Sequence, residues 1–230
     1  MITERRPELP PPQAARYIAV CALVAVALSG CGVVGRTSVK TVQMAIQGKP
    51  DVQPTASEIA GSRYPQIKVT GPNGGALLVL GNIDAGRQAW YSSERSIVFL
   101  QDGIVVGTHG GTPELRRASI EGDNPFRDLR DVRDGATVIR SYDVMPGYRF
   151  GMTVTGTIRH IGTEEVEILG KVFALLHYTE ELRGHGWKRR NEYWVDADSG
   201  FIRKSRQAIG PETSLEITQL KPYAPDLKPR

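Results

Sequence analysis

Cysteine is nearly absent from this chain of 230 residues, which has only Cys21 and Cys31. So few thiols exclude a disulfide-framed domain and any Cys-based zinc site. The four histidines, His109, His160, His177 and His185, stand singly, without the i, i+4 spacing of a helical metal site. GxSxG, GxxxxGK[ST] and HExxH motifs are all missing. The one letter-for-letter GxGxxG, Gly30–Gly35, lies in no strand–turn–helix and is accidental. The surplus of Lys+Arg over Asp+Glu, 29 against 25, is too small to indicate a nucleic-acid binder. Acidic pairs such as Glu164-Glu165 and Asp196/Asp198 raise the question of a glycosidase, which needs two carboxylates facing each other across a cleft. Asp196 and Asp198 belong instead to a hairpin turn, where solvation is expected. These absences argue against an enzyme and leave no cofactor or metal to assign.

No long apolar run is present either. Tyr17–Leu28 is uncharged but only twelve residues long, against the ~20 that a membrane-crossing helix needs. Preceded by Arg5, Arg6 and Arg16, it has the form of a secretory signal peptide. It ends in Leu28-Ser29-Gly30-Cys31, which is similar to the lipobox of bacterial lipoproteins. That resemblance implies cleavage before Cys31, a diacylglycerol on its sulfur and acylation of the new amine. Residues 1–30 are then the signal peptide and 31–64 a lipidated tether leading into the domain. Gly32, in place of the Asp that retains enterobacterial lipoproteins at the inner membrane, implies the outer membrane, with the protein facing the periplasm. Thr55 or Ser57 is placed to cap a single helical turn through Glu58 and Ile59.

From Gln66 the hydrophobic period is two, and residues 65–223 read as one β-domain with a C-terminal tail at 224–230. Met152-Val154-Gly156-Ile158 alternate with Thr153-Thr155-Thr157-Arg159, one face apolar and the other wet. Val166–Tyr178 reads as a second long strand, and Leu215–Ile217 as another. Shorter runs lie at Ala76–Leu80, Ile97–Leu100, Ile104–Val106 and Val138–Val144. Asn73-Gly74, Asp102-Gly103 and Ser199-Gly200 supply turns. Gly107–Asp134 is the least regular stretch, with a short helix expected in Asn124–Asp134 that sets Phe126, Leu129 and Val132 on one side. The expected fold is mostly β, an antiparallel sandwich or barrel-like wrap with at most short helices.

Trp187–Val195, a turn at Asp196–Gly200 and Phe201–Ile209 read as a β-hairpin. With a symmetric turn, Arg190 faces Arg206, Glu192 faces Lys204 and Trp194 faces Ile202, and Lys188 continues the same face. Like charges directly opposite are destabilising, so this face is either a solvated surface damped by Glu192 or a contact for an anion. In the second case Lys188, Arg190, Lys204 and Arg206 meet an acidic glycan or partner surface, with Trp187 or Tyr193 stacking on sugar rings.

The ordered set of lipobox, Gly75–Leu80 before Trp90, Asp102–Val105, Asn191–Asp196, Ser199-Gly200, Lys204–Gln207 and Ile217–Lys221 resembles the YjbF/GfcB family. Its members are lipoproteins encoded with capsule or exopolysaccharide export genes. The resemblance implies an antiparallel β fold and an accessory, non-catalytic role in polysaccharide export, with the lipid bilayer, acidic polysaccharide or export proteins as partners. A second resemblance, of the Trp194-Val195-Asp196 to Ser199-Gly200 hairpin to the LolA/LolB carriers, implies instead a half-barrel that binds acyl chains. A carrier needs an apolar cavity and helical lids, and no amphipathic lid helix is evident.

Overall fold

Thr137–Met145 shows in miniature why this chain forms strands: Val138, Arg140, Tyr142 and Val144 are buried while Thr137 and Ile139 are exposed. Successive side chains of a pleated strand point to opposite faces, so every second residue enters the core. In a computed structural model, which describes residues 51–228, twelve such strands form one sheet. They are β1 (Gln66–Gly71), β2 (Gly74–Asp84), β3 (Arg87–Ser92), β4 (Ile97–Gln101), β5 (Ile104–His109) and β6 (Glu114–Glu121). β7 (Thr137–Met145), β8 (Arg149–Ile168), β9 (Lys171–Gly184), β10 (Trp187–Asp196), β11 (Ile202–Ala208) and β12 (Ser214–Lys221) complete it. The expected signal peptide, Cys31 and the expected tether as far as residue 50 lie outside the described residues.

Apart from β5 and β6, which do not pair with each other, consecutive strands pair antiparallel, and β1 also pairs with β12, from Gln66↔Lys221 to Thr70↔Glu216. The sheet therefore runs β5-β4-β3-β2-β1-β12-β11-β10-β9-β8-β7-β6, with β5 and β6 as its two edges. These edges meet. Leu115 N on β6 donates to Thr108 Oγ1 on β5 at 2.9 Å, so the sheet is an up-and-down barrel left open along one seam.

Several expectations are realised in detail. Met152, Val154, Gly156 and Ile158 are buried and Thr153 and Thr155 exposed. Asp102-Gly103 turns β4 into β5, with both residues at positive φ. Thr55 caps the short helix α1 (Ala56–Gly61) in a capping box with Glu58. The expected helix in Asn124–Asp134 is two single 3-10 turns, Pro125–Arg127 and Leu129–Asp131, capped by Asn124 and Asp128.

Other expectations need correction. Val166–Tyr178 is not one strand: Leu169 (φ 53°) and Gly170 (φ 76°) reverse the chain there, joining β8 to β9. Both lie in the left-handed region that tight hairpins require, and Leu at the first position hides the signal. β3 and β6 were not anticipated either. Glu114–Glu121 carries four charged side chains in eight residues, because it is a sheet edge with one wet face.

The barrel interior is filled with side chains. One cluster draws on strands all around the wall, among them Ile67, Leu78, Trp90, Leu115, Val154 and Ile217. A second joins Phe126 and Leu129 of the 3-10 turns to Ile158, Tyr193 and Ile202. Within this apolar packing lies an ion pair. Arg140 Nε and Nη2 donate to Glu180 Oε1 and Oε2 at 2.8 and 2.9 Å. Tyr193 Oη and Asn191 Nδ2 also donate to Glu180 Oε2, at 2.9 and 2.8 Å. The Arg140 guanidinium lies 4.5 Å from the Phe126 ring centroid. Burial works against the charge on Arg140, but Glu180, Tyr142 and Tyr193 around it together outweigh that penalty and hold its pKa well above the ordinary value. Burial likewise drives the Tyr193 phenol well up, keeping it neutral and able to donate.

Candidate functional site

Asp196 sets the geometry of the β10–β11 hairpin. Its Oδ1 accepts from Ser199 N at 3.0 Å and from Ser199 Oγ at 2.9 Å, and its Oδ2 accepts from Arg203 Nε at 2.8 Å. Burial opposes the charge of Asp196, yet these donors outweigh it and hold its pKa below the usual value. Asp196 is thus a half-buried turn organiser rather than the solvated carboxylate expected.

A bulge follows, between Trp194 and Val195, and it moves the register. Val195 faces Ile202 but Trp194 faces Lys204, Tyr193 faces Ser205 and Glu192 faces Arg206. The expected Arg190–Arg206 opposition does not occur, because the turn is asymmetric and Arg203 is the extra residue held back by Asp196. The strand alternation keeps Lys188, Arg190, Lys204 and Arg206 on the outer wall, but in a different company of charges.

Arg206 lies between two carboxylates, with Nη1 on Glu192 Oε2 and Nη2 on Glu216 Oε2, both at 2.9 Å. Its pKa is raised, first by the bond to Glu216. Glu216 also meets Lys204 Nζ at 3.2 Å. Burial pushes the Glu216 carboxyl up, but Arg206 and Lys204 overcome it and leave it below the ordinary value. Arg190 pairs with Glu181 on the adjacent strand β9. Glu181, Glu192 and Glu216 therefore offset three of the four cations, and Lys188 alone makes no ion pair among the described residues.

The aromatic residues proposed for stacking point elsewhere. Tyr193 is wholly buried in the Arg140–Glu180 network, and Trp187 is buried with its ring centroid 4.4 Å from that of Tyr142. Trp194 is the aromatic residue of the outer wall. His177 stacks on it at 4.9 Å, Lys204 Nζ lies 5.1 Å from its centroid, and its Nε1 donates to Glu164 Oε2 at 2.8 Å. It too is covered. The hairpin face is a wall whose charges are mostly paired.

The buried Arg140–Glu180 network went unanticipated, although Arg140 interrupts the apolar face Val138-Arg140-Tyr142-Val144 and Glu180 the face Tyr178-Glu180-Leu182. An ionisable residue on each of two apolar faces, with opposite sign, was the available signal.

The model of the family described as group 4 capsule polysaccharide lipoprotein GfcB, YjbF matches residues 39–220. The chain belongs to this family. As a YjbF/GfcB member it is a lipoprotein, hence membrane-anchored. The Escherichia coli (strain K12) "uncharacterized lipoprotein GfcB" is 24% identical over 208 residues, which is 88% of this chain and 97% of that one. The crystal structure of the hypothetical lipoprotein YmcC from Escherichia coli (K12) superposes with a TM-score of 0.68 at 24% identity. It covers 80% of this chain and 96% of that one, and it shows the same fold.

Proposed function

We propose that this protein is a non-catalytic lipoprotein of the outer membrane, acylated at Cys31 and facing the periplasm, that assists the export or assembly of capsule or extracellular polysaccharide. The match to the capsule polysaccharide lipoprotein family across residues 39–220 carries this reading. Leu28-Ser29-Gly30-Cys31 supports the anchor, and Gly32 after the cysteine supports the outer membrane. Three acyl chains exceed the two signals that stable anchoring takes.

A barrel whose interior is packed with side chains suits a docking or guiding body more than a container. The acyl-carrier reading needs a hydrophobic cavity inside the barrel. The apolar cleft at the β1–β2 turn, beside Leu78 and Ile209, is about 150 Å³, below the ~300 Å³ at which ligand pockets begin.

The test is a deletion strain complemented with wild-type protein or Cys31→Ser, scored for surface polysaccharide and for membrane fraction. Wild type is expected to restore the polysaccharide from the outer-membrane fraction, and Cys31→Ser to remain an unprocessed precursor. Normal surface polysaccharide in the uncomplemented strain overturns the export role. A wild-type mature protein without added lipid mass overturns the anchor.

A further inference from the structure

The hairpin wall has spent most of its positive charge on neighbouring carboxylates; the seam between β5 and β6 keeps two arginines outside any ion pair among the described residues. The edges are held together at one level by the Leu115–Thr108 bond. Towards the Asp102–Gly103 end they part into a groove of about 460 Å³, within the ~300–1,000 Å³ of small-ligand sites. Ile104 and Val106 of β5 line one side and residues 116–120 of β6 the other.

Four arginines face this groove: Arg87 from β3, Arg116 and Arg117 from β6, and Arg127 from the first 3-10 turn. The carboxylate among its lining residues is Asp102, which accepts from Asn124 Nδ2 at 2.8 Å. Arg116 is held by Glu114 at 2.6 Å. Arg87 and Arg117 make no ion pair among the described residues. The Arg87 guanidinium lies 4.9 Å from the Phe99 ring centroid, within the range of a cation–π contact.

We propose that this groove binds the carboxylate groups of an acidic polysaccharide, with Arg87 and Arg117 as its principal contacts. The proposal rests on the export reading above and names the ligand class and the site that reading lacks. Guanidinium groups present planar forks that match carboxylates two bonds at a time. Several of them along an open groove suit a chain that carries its charges at intervals and passes through without being enclosed. A neutral polypeptide adding a strand to either edge is the competing occupant. The arginine rim favours an anion over it, since strand addition draws its affinity from main-chain bonds and has no use for clustered charge.

The test is calorimetric titration of the full lipoprotein in detergent with oligogalacturonate, with its methyl ester as the neutral control, at low and high salt. Oligogalacturonate is expected to bind, the ester to bind at least about tenfold more weakly, and the difference to shrink as salt screens the charges. Arg87→Gln/Arg117→Gln is expected to lose about tenfold or more in affinity with an unchanged melting temperature, matching the loss of charge-assisted bonds. Arg190→Gln/Arg206→Gln, on the balanced wall, is expected to bind as wild type does.

Equal binding of acid and ester, an equal loss in both double variants, or binding only of a neutral strand-forming peptide overturns the site. Lost surface polysaccharide in the deletion strain with no oligogalacturonate binding removes this site and keeps the export role. Arg87- and Arg117-dependent binding with normal surface polysaccharide in that strain keeps the site and removes the export role.

Discussion

Glu180 receives Arg140 as a fork, one oxygen to each of two guanidinium nitrogens, at the centre of a β-barrel where Arg140 is 2% and Glu180 0% exposed. Desolvating two charges is costly, and their attraction offsets the cost only when the geometry is good and the remaining lone pairs are satisfied. Here Tyr142 Oη accepts from Arg140, and Tyr193 and Asn191 serve Glu180. Asn191 Oδ1 in turn accepts from Ala208 N at 2.7 Å, tying β10 to β11.

Removing one partner leaves the other charge buried alone. Glu180→Gln, close in shape, is expected to cost about 3–5 kcal/mol in urea-unfolding free energy. Arg140→Met/Glu180→Leu, which removes both charges, is expected to be more stable than either single variant. Costs that simply add in the double variant would show that the two residues do not act as a pair.

Gly156 on β8 exists to make room for this pair. An added Cβ there would collide with Glu180 Oε1 and stand 2.9 Å from its carboxyl carbon. Gly156→Ala is expected to cost about 1–3 kcal/mol by overpacking, read from the denaturation midpoint. The same substitution on a Glu180→Ala background should cost markedly less. An undiminished penalty in that background would place the strain elsewhere.

The facing of β8 is open to a paired test. Val154 is 0% exposed and Thr155 points to solvent. Val154→Asp buries an unpaired charge and should cost several kcal/mol, whereas Thr155→Asp should stay within about 0.5 kcal/mol as surface changes do. Thermal melts of the two variants that coincide would mean that the strand is turned the other way.

Acid should weaken the fold through Glu216 and Asp196, whose pKa values are both lowered on folding. The unfolded chain then takes up protons on these groups before the folded chain does. Their stabilisation is complete above the ordinary carboxylate range and is lost as pH falls below about 4. Melting temperature should hold steady from neutral pH down to that range and then drop. In Glu216→Gln the drop should be shallower, and an identical acid slope would exclude Glu216 as a contributor.

The sequence made legible whatever depends on local pattern. The period of two in Met152–Ile158, the Asp102-Gly103 turn and the capping box at Thr55 each lie within a few consecutive residues. What it concealed depends on a single displaced residue or on distant strands. An asymmetric turn and one bulge beside Trp194, each shifting the register by one residue, together exchange Arg190 for Glu192 opposite Arg206, because cross-strand partners follow from a count that the turn residues do not reveal. Tyr193 looked like a surface aromatic beside Arg189 and Arg190, yet its ring occupies the core face and its hydroxyl reaches Glu180. The groove arginines come from β3, β6 and a 3-10 turn, and only the closing of the sheet brings them together.

Because β1 bonds to β12, the barrel's last wall joint is made by the two most distant strands, while its open joint lies between consecutive ones. A chain delivered N-terminus first therefore travels as an open ribbon until residues 214–221 arrive to meet residues 66–71. Closing that joint carries nearly all of the long-range entropy cost, since every other pairing is a hairpin. Loss of β12 by truncation would expose fresh edges on β1 and β11, and chain-to-chain pairing would be the consequence. The seam, spanned by the short linker from His109 to Glu114, can part without setting any strand adrift.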